Sequence, residues 1–251
     1  MAIEKGSAGQ ATRDMADKRY SKRVLITFAG VGAVAFLLFL LPNVKGLGLA
    51  GIVIIAIFVR LVMKTTDRET DRYERLEKRA VKGAKAEEKI GDLLRNLPEG
   101  YRVYHDVVSP YGNIDHVVLG DNDQVFLIET KAHHGEVTYN GSNLLIDNKM
   151  PEKNFISQIF KNTFWLRDEI KKWIDADIFI KPVIVFTNAF VKIPYPVKNI
   201  SIVNKKYLTK VLTEKQASNN NTQSNPKAVS LSTVLETLQG RSQETETSRS
   251  A

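Results

Sequence analysis

The residues whose types and spacing suit chemistry lie together near the middle of the chain. Asp115 sits in Gly112-Asn113-Ile114-Asp115-His116-Val117-Val118. Glu129 and Lys131 end the run Val125-Phe126-Leu127-Ile128-Glu129-Thr130-Lys131. Side chains alternate along a strand, so Glu129 and Lys131 share a face. A three-residue loop at Asp121 to Asp123 sets Leu119 opposite Val125 and Asp115 opposite Glu129, with paired Cβ atoms about 4.5–5.5 Å apart. Two carboxylates at that distance repel, and a divalent cation between them relieves the repulsion. Oxygen ligands of this kind suit Mg²⁺ or Mn²⁺. A plainer reading makes Asp115 and Glu129 solvated residues on an edge hairpin, paired with Lys131. Against it, Val125 to Ile128 is continuously apolar, as in an inner strand covered on both faces. Other chemistries are excluded by composition. The chain has no cysteine, which removes disulfides, thiolate zinc sites, iron–sulfur clusters and cysteine nucleophiles. Four histidines, at 105, 116, 133 and 134, are too few and too scattered to suggest a multi-histidine metal site.

The elements that must position these groups can be read on either side. Tyr101 to Val108, Asn113 to Leu119 and Val125 to Lys131 are short β-rich runs separated by turn residues. Glu136 to Tyr139 and Leu144 to Asp147 flank Asn140-Gly141, a hairpin signal. A helix is expected from about Glu152 to Ile174, with Phe155, Ile159, Leu166, Ile170 and Trp173 on one buried stripe. Val183 to Phe186 and Ile200 to Val203 read as further strands. Upstream, Ile90, Leu93, Leu94 and Leu97 recur at helical spacing until Pro98-Glu99-Gly100 stops the helix. Alternation turns His116 away from Asp115, which makes it structural.

The fuller string resembles a known family. Asp, a hairpin and Glu-x-Lys form the core of the PD-(D/E)XK nuclease superfamily, and the chain is similar to its nuclease-related domain, called NERD. Gly83-Ala84-Lys85-Ala86-Glu87 matches the family's early helix, and Gly112 to Val118 its aspartate strand. Glu129-Thr130-Lys131-Ala132-His133-His134-Gly135-Glu136-Val137 matches its Glu-x-Lys strand, and Gln158 a later helical glutamine. Ala86 stands where a second glycine is usual, Asn113 where an acidic residue is common, and Ile114 where proline precedes the aspartate. The resemblance covers roughly residues 80 to 187. It implies an α/β, restriction-endonuclease-like mixed β-sheet flanked by helices, and phosphodiester hydrolysis, in DNA rather than RNA. It further implies that Asp115, Glu129 and the Thr130 carbonyl hold the metal, and that Lys131 orients or deprotonates water and stabilises phosphate charge. By the same resemblance Glu87 orients the site or binds a second metal, and Gln158 positions water or substrate. The rival reading is a catalytically inactive, membrane-tethered module that binds nucleic acid or a partner through the same fold.

The start of the chain is different in kind. Val24 to Leu41 runs eighteen residues without a charge, and Leu47 to Met63 is interrupted only by Arg60. A helix of eighteen residues is about 27 Å long, close to the roughly 30 Å hydrocarbon core. A basic segment before an apolar run also opens a signal peptide, but the second apolar block favours a two-helix transmembrane hairpin before the nuclease-like fold. Lys18, Arg19, Lys22 and Arg23 precede the first block, and Arg60, Lys64, Arg68, Arg72 and Arg75 mark the end of the second. The positive-inside rule then puts both termini and the catalytic part in the cytoplasm, at the inner membrane. The expected organisation is a cytoplasmic segment over 1–23, the hairpin over 24–63, a charged juxtamembrane helix over 64–82 and the nuclease-related domain over 83–212. Residues 213–251 form a flexible tail with a short helix over Ser230 to Leu238. A net charge of +8 suits nucleic acid or anionic lipid as partner. Lys149, Lys153, Lys161, Lys171 and Lys172 are candidates for a nucleic-acid groove, and His133 and His134 for contact with phosphate or metal.

Overall fold

The protein is described by a computed structural model over residues 1–40, 48–120, 124–174, 177–214 and 231–240. The expected turn at Pro42 to Gly46, the loop at Asp121 to Asp123, the polar linker beyond Glu214 and the last dozen residues lie outside the described residues. In chain order the elements are β1 (Ile3–Lys5), α1 (Gln10–Leu40), α2 (Leu49–Arg95), β2 (Arg102–Ser109), β3 (Gly112–Leu119), β4 (Val125–Tyr139), β5 (Leu144–Ile146), α3 (Phe155–Ile174), β6 (Ile180–Val191), β7 (Ser201–Asn204) and α4 (Leu208–Thr213). A further helix, α5, spans 231–240. The chain divides into two units, Met1–Ala11 with Gly83–Ala251, and Thr12–Lys82.

The first unit is a mixed α/β fold with a seven-stranded sheet in the order β1-β2-β3-β4-β6-β7, β5 pairing with β4. The hairpins from β2 to β4 are antiparallel, whereas β6 and β7 add in parallel. A parallel neighbour needs a crossover, and α3 supplies it between β4 and β6. One face of the sheet packs Val117, Leu127, Ile184 and Phe186 against Ile159, Leu166 and Ile170 of α3 and Leu235 of α5. The other packs Val118, Ile128, Val183 and Val185 against Ile90 and Leu94 of α2 and Leu208 of α4. Val125 to Ile128 is buried on both faces, as an inner strand requires. Trp173, expected on the buried stripe of α3, is instead exposed, because in that last turn Ile170 and Ile174, four residues apart, take the core-facing positions.

Two runs expected as separate strands are one strand, β4. A bulge between Lys131 and His134 absorbs the irregularity, and Gly135 at φ +93° carries the chain on past Asp147. The Asp147 carboxylate accepts the Glu136 N–H at 2.8 Å, and a Cβ on Gly135 would overlap it. Residues 1–23 are not a separate segment: Ile3 to Lys5 pair with Arg102 to Tyr104 as the edge strand β1. Nor is the end only a tail, since Leu231, Val234, Leu235 and Leu238 belong to the core.

The second unit is helical. Among the described residues one helix, α1, is long and apolar enough by length and composition to cross a membrane. The transmembrane hairpin of two helices is therefore not found. The second apolar block is the opening of α2, and Arg60, Lys64, Asp67 and Arg68 follow within a few turns of its start. Crossing takes about 20 predominantly apolar residues. The charged juxtamembrane helix expected over 64–82 is the middle of that same helix, laced by Arg72–Glu69 at 3.4 Å and by Lys78–Glu74.

Candidate active site

β3 and β4 bring the first two groups together. Leu119 lies opposite Val125 and His116 opposite Ile128, where the paired register ends, one step short of the expected pair Asp115 and Glu129. The Thr130 N–H donates to Asp115 Oδ2 at 2.6 Å. An extended residue turns its N–H and C=O to the same side, so the Thr130 carbonyl opens toward Asp115 as well. Two residues on, Lys131 Nζ donates to Glu129 Oε1 at 2.6 Å. Both side chains are almost fully enclosed, at 11% and 4% exposure, so the pair is not a screened surface contact.

α3 closes the cluster. Asn154 caps it, its side-chain oxygen accepting the Ser157 N–H at 3.0 Å, and this fixes the first turn that carries Phe155 and Gln158. Gln158 Nε2 donates to Glu129 Oε1 at 2.7 Å, and Gln158 Oε1 accepts from Lys131 Nζ at 3.2 Å. Lys131, Glu129 and Gln158 thus form a closed triangle. Phe155 forms its wall, with the Lys131 ammonium 4.6 Å from the ring centre. Sequence reading placed Phe155 only in the core. Its spacing of three from Gln158, one turn away on the same helix face, is the signal that joins it to the site.

The electrostatics are lopsided. Burial holds the Asp115 carboxyl well above the usual carboxylate range, and the negative charges of Glu129 and Glu87 push it further up. Lys131 and the Thr130 N–H oppose the rise only in part. Glu87, on α2, is itself buried. Glu129 Oε2 is buried without a hydrogen-bond partner among the described residues. An enclosed carboxylate oxygen with no donor, beside a second carboxylate that resists ionisation, fits a hard cation with oxygen ligands. Among the described residues no three His, Asp or Glu side chains converge, so a donor set here consists of Asp115, Glu129 and a backbone carbonyl.

The remaining sequence candidates fall elsewhere. His116 faces away from Asp115 and its Nδ1 lies 2.8 Å from His105 Nδ1. His133 packs its ring on Phe155, 5.3 Å between centroids, and His134 is exposed. Lys171 and Lys172 pair with Asp177 and Glu169 on the surface, and Lys161 lies over the Tyr111 ring. Lys149 and Lys153 are exposed.

With this geometry in hand, the chain can be set beside known proteins. Residues 82–187 match the nuclease-related domain family, NERD. No curated protein and no solved structure matches the chain. The NERD match takes in Glu87, Asp115, Glu129, Lys131 and Gln158, and it supports a nuclease-related function. The mixed sheet flanked by helices fits a nuclease-like fold.

Proposed function

We propose that the sheet-bearing unit is a nuclease that hydrolyses phosphodiester bonds, in DNA rather than RNA, with Mg²⁺ or Mn²⁺. The observation that carries this reading is the enclosed Glu129–Lys131–Gln158 triangle beside an Asp115 that resists ionisation. Asp115, Glu129 and the Thr130 carbonyl would hold the cation, which when bound polarises a phosphoryl oxygen and acidifies water. Lys131 orients the attacking water and neutralises charge developing on the phosphate. Gln158 fixes the Lys131 ammonium and the Glu129 carboxylate in place, and Glu87 adds negative charge that strengthens cation binding. Incubation of the full chain with DNA and RNA, with either cation and with chelator, tests this. Metal-dependent cleavage abolished by chelator is expected.

A second reading, a non-catalytic nucleic-acid- or partner-binding module, is favoured by one observation. The Lys131 ammonium is already engaged by Glu129 and Gln158, and the carboxylates form no three-membered cluster. Binding without cleavage under every divalent cation would support it.

We propose further that the chain is attached to the cytoplasmic face of the inner membrane. The apolar length of α1 and the four basic residues Lys18, Arg19, Lys22 and Arg23 before its apolar part support this. Sedimentation of the full chain with lipid vesicles tests it.

A further inference from the structure

We infer that the chain enters the membrane and returns from the same side, as a shallow two-helix wedge that does not cross; the inference rests on the membrane attachment proposed above. Residues 1–11 and the chain from Gly83 onward form one unit, with Ile3 paired to Arg102. They must lie on one side of any bilayer. A crossing by α1 alone would separate them, so whatever enters with α1 comes back with α2.

Four contacts fix how these two helices lie together. The Arg19 guanidinium donates to the Leu76 carbonyl at 2.6 Å, and Arg23 pairs with Glu77 at 3.3 Å. The Thr27 and Thr70 hydroxyls are 3.4 Å apart, and Gly30 meets Thr66 so closely that a Cβ there would overlap the hydroxyl. The helices therefore run antiparallel with Gly30 level with Thr66. Counted one for one from that pair, Lys64 is level with Gly32, Asp67 with Ala29, Arg68 with Phe28 and Asp71 with Leu25.

The two apolar stretches are consequently offset. Beside Val24 to Gly32 of α1, the neighbouring helix presents Lys64, Asp67, Arg68, Glu69, Asp71 and Arg72, all exposed except the half-buried Glu69. Ala33 to Leu40 run beside Ala56 to Met63, which Arg60 alone interrupts. Inserting the whole apolar length of α1 would drag these six charged side chains into hydrocarbon, which membranes strongly oppose. The water boundary thus falls near Lys64, with Arg60 reaching back to it along its own stem. From there Met63 to Leu49 reaches about 22 Å inward, short of the roughly 30 Å core. The side chains of that tip point outward: Phe36, Phe39, Ile54 and Phe58 are all exposed. Near its base Arg60, Lys64, Arg68 and Arg72 form one stripe on α2 that outnumbers Asp67, Glu69 and Asp71 by one, and Lys18, Arg19, Lys22 and Arg23 of α1 add a basic excess complementary to anionic headgroups. An apolar tip above a basic collar fits an anionic bilayer.

Because the natural chain has no cysteine, single-cysteine variants of the full chain report one position each. Leu25→Cys, Phe28→Cys, Phe36→Cys and Ile54→Cys, all at exposed sites, are bound to phosphatidylcholine–phosphatidylglycerol vesicles and treated with a membrane-impermeant maleimide. All four should react in detergent. On vesicles, Leu25→Cys and Phe28→Cys should still react, while Phe36→Cys and Ile54→Cys should be protected at least tenfold. Protection of Phe28→Cys equal to that of Phe36→Cys would overturn the shallow wedge while leaving attachment intact. So would labelling of Ile54→Cys by reagent enclosed in the vesicle lumen, which would mean crossing. Failure of the full chain to sediment with the vesicles at low salt would overturn the attachment itself and the wedge with it.

Discussion

Asp115 and His116 are neighbours on β3 that face opposite sides of the same sheet, and burial works against the charged form of both. On the α2 side the two histidines pair with each other, one Nδ1–H donating to the other Nδ1 at 2.8 Å. His105 Nε2 reaches Glu4 at 3.3 Å, and Glu4 in turn takes the Arg95 guanidinium at 2.7 Å. Burial holds both rings below the ordinary histidine range, so this face is neutral at physiological pH. On the α3 side Asp115 and Glu129 share one lysine, and burial with the negative charges of Glu129 and Glu87 pushes the Asp115 carboxyl up rather than relieving it. The histidine face carries no net charge on its two rings and leaves one buried nitrogen, His116 Nε2, without a hydrogen-bond partner among the described residues. The other keeps an excess of negative charge that only something from outside can neutralise, the pattern expected where stability yields to function.

The largest effect expected from disturbing this contrast is catalytic. Lys131→Met should lower cleavage on the order of 10²–10³-fold, the scale for losing a group that stabilises transition-state charge. Nucleic-acid affinity should change little, because backbone phosphates are held by many charges. Cleavage rate and affinity measured side by side decide it, and parallel losses in both would make Lys131 a binding residue.

On the opposite face, His105→Ala leaves the buried His116 Nδ1 without its partner, while Glu4 keeps Arg95. A buried polar group so orphaned costs about 1–3 kcal/mol. Urea unfolding should report that loss, while cleavage by the folded fraction stays at the wild-type rate.

Asp115→Asn should separate the two quantities. The amide oxygen can still accept the Thr130 N–H, but no charge faces Glu129 and Glu87. A carboxyl with a raised folded pKa stabilises at low pH and loses that contribution as pH rises through the folded value. At neutral pH the metal-free variant should therefore melt higher than the wild type, each kcal/mol being worth about 2–4 °C in a chain of this size. Mn²⁺ should raise the melting temperature of the wild type and much less that of the variant. A lower melting temperature in the metal-free variant would show that the Asp115 charge is already compensated.

The smallest effect is the pH response of the histidine pair. Folded values held below the ordinary 6.5 mean that the unfolded chain takes up protons first. The stability contribution is complete above 6.5 and declines as pH falls below it toward the folded values. Melting curves from pH 7.5 down to about pH 5 should show this decline, and it should be shallower in His105→Ala.

The face of the candidate site was the more legible of the two in the sequence. A continuous apolar run marked Val125 to Ile128 as an inner strand, and a short loop left one register that brings Asp115 beside the Glu-x-Lys run, where it accepts the Thr130 N–H. The Gln158 contact was carried by the family resemblance alone, since helical spacing cannot say which strand residue an outward glutamine meets. The histidine pair was not foreseen, because His105 and His116 lie on different strands whose register depends on the turn at Ser109 to Gly112. Three residues, Ile3-Glu4-Lys5, carry no pattern that announces a strand; their place is decided by the edge of β2. Hydropathy read the two apolar blocks separately and so gave two spans. It contains nothing about Gly30 meeting Thr66, which is what sets the levels of the helices.

The edge strand β1 also carries a consequence for biosynthesis. Its residues leave the ribosome well before their pairing partners, Arg102 to Tyr104, which are made about a hundred residues later. At about 5–20 residues per second, β1 waits for several seconds or more while the apolar stretches of α1 and α2 emerge. During that interval the Glu4 carboxylate lacks His105, and nothing yet ties the start of the chain to the sheet. Closing the edge is therefore a late event, which cannot precede synthesis of Arg102 to Tyr104.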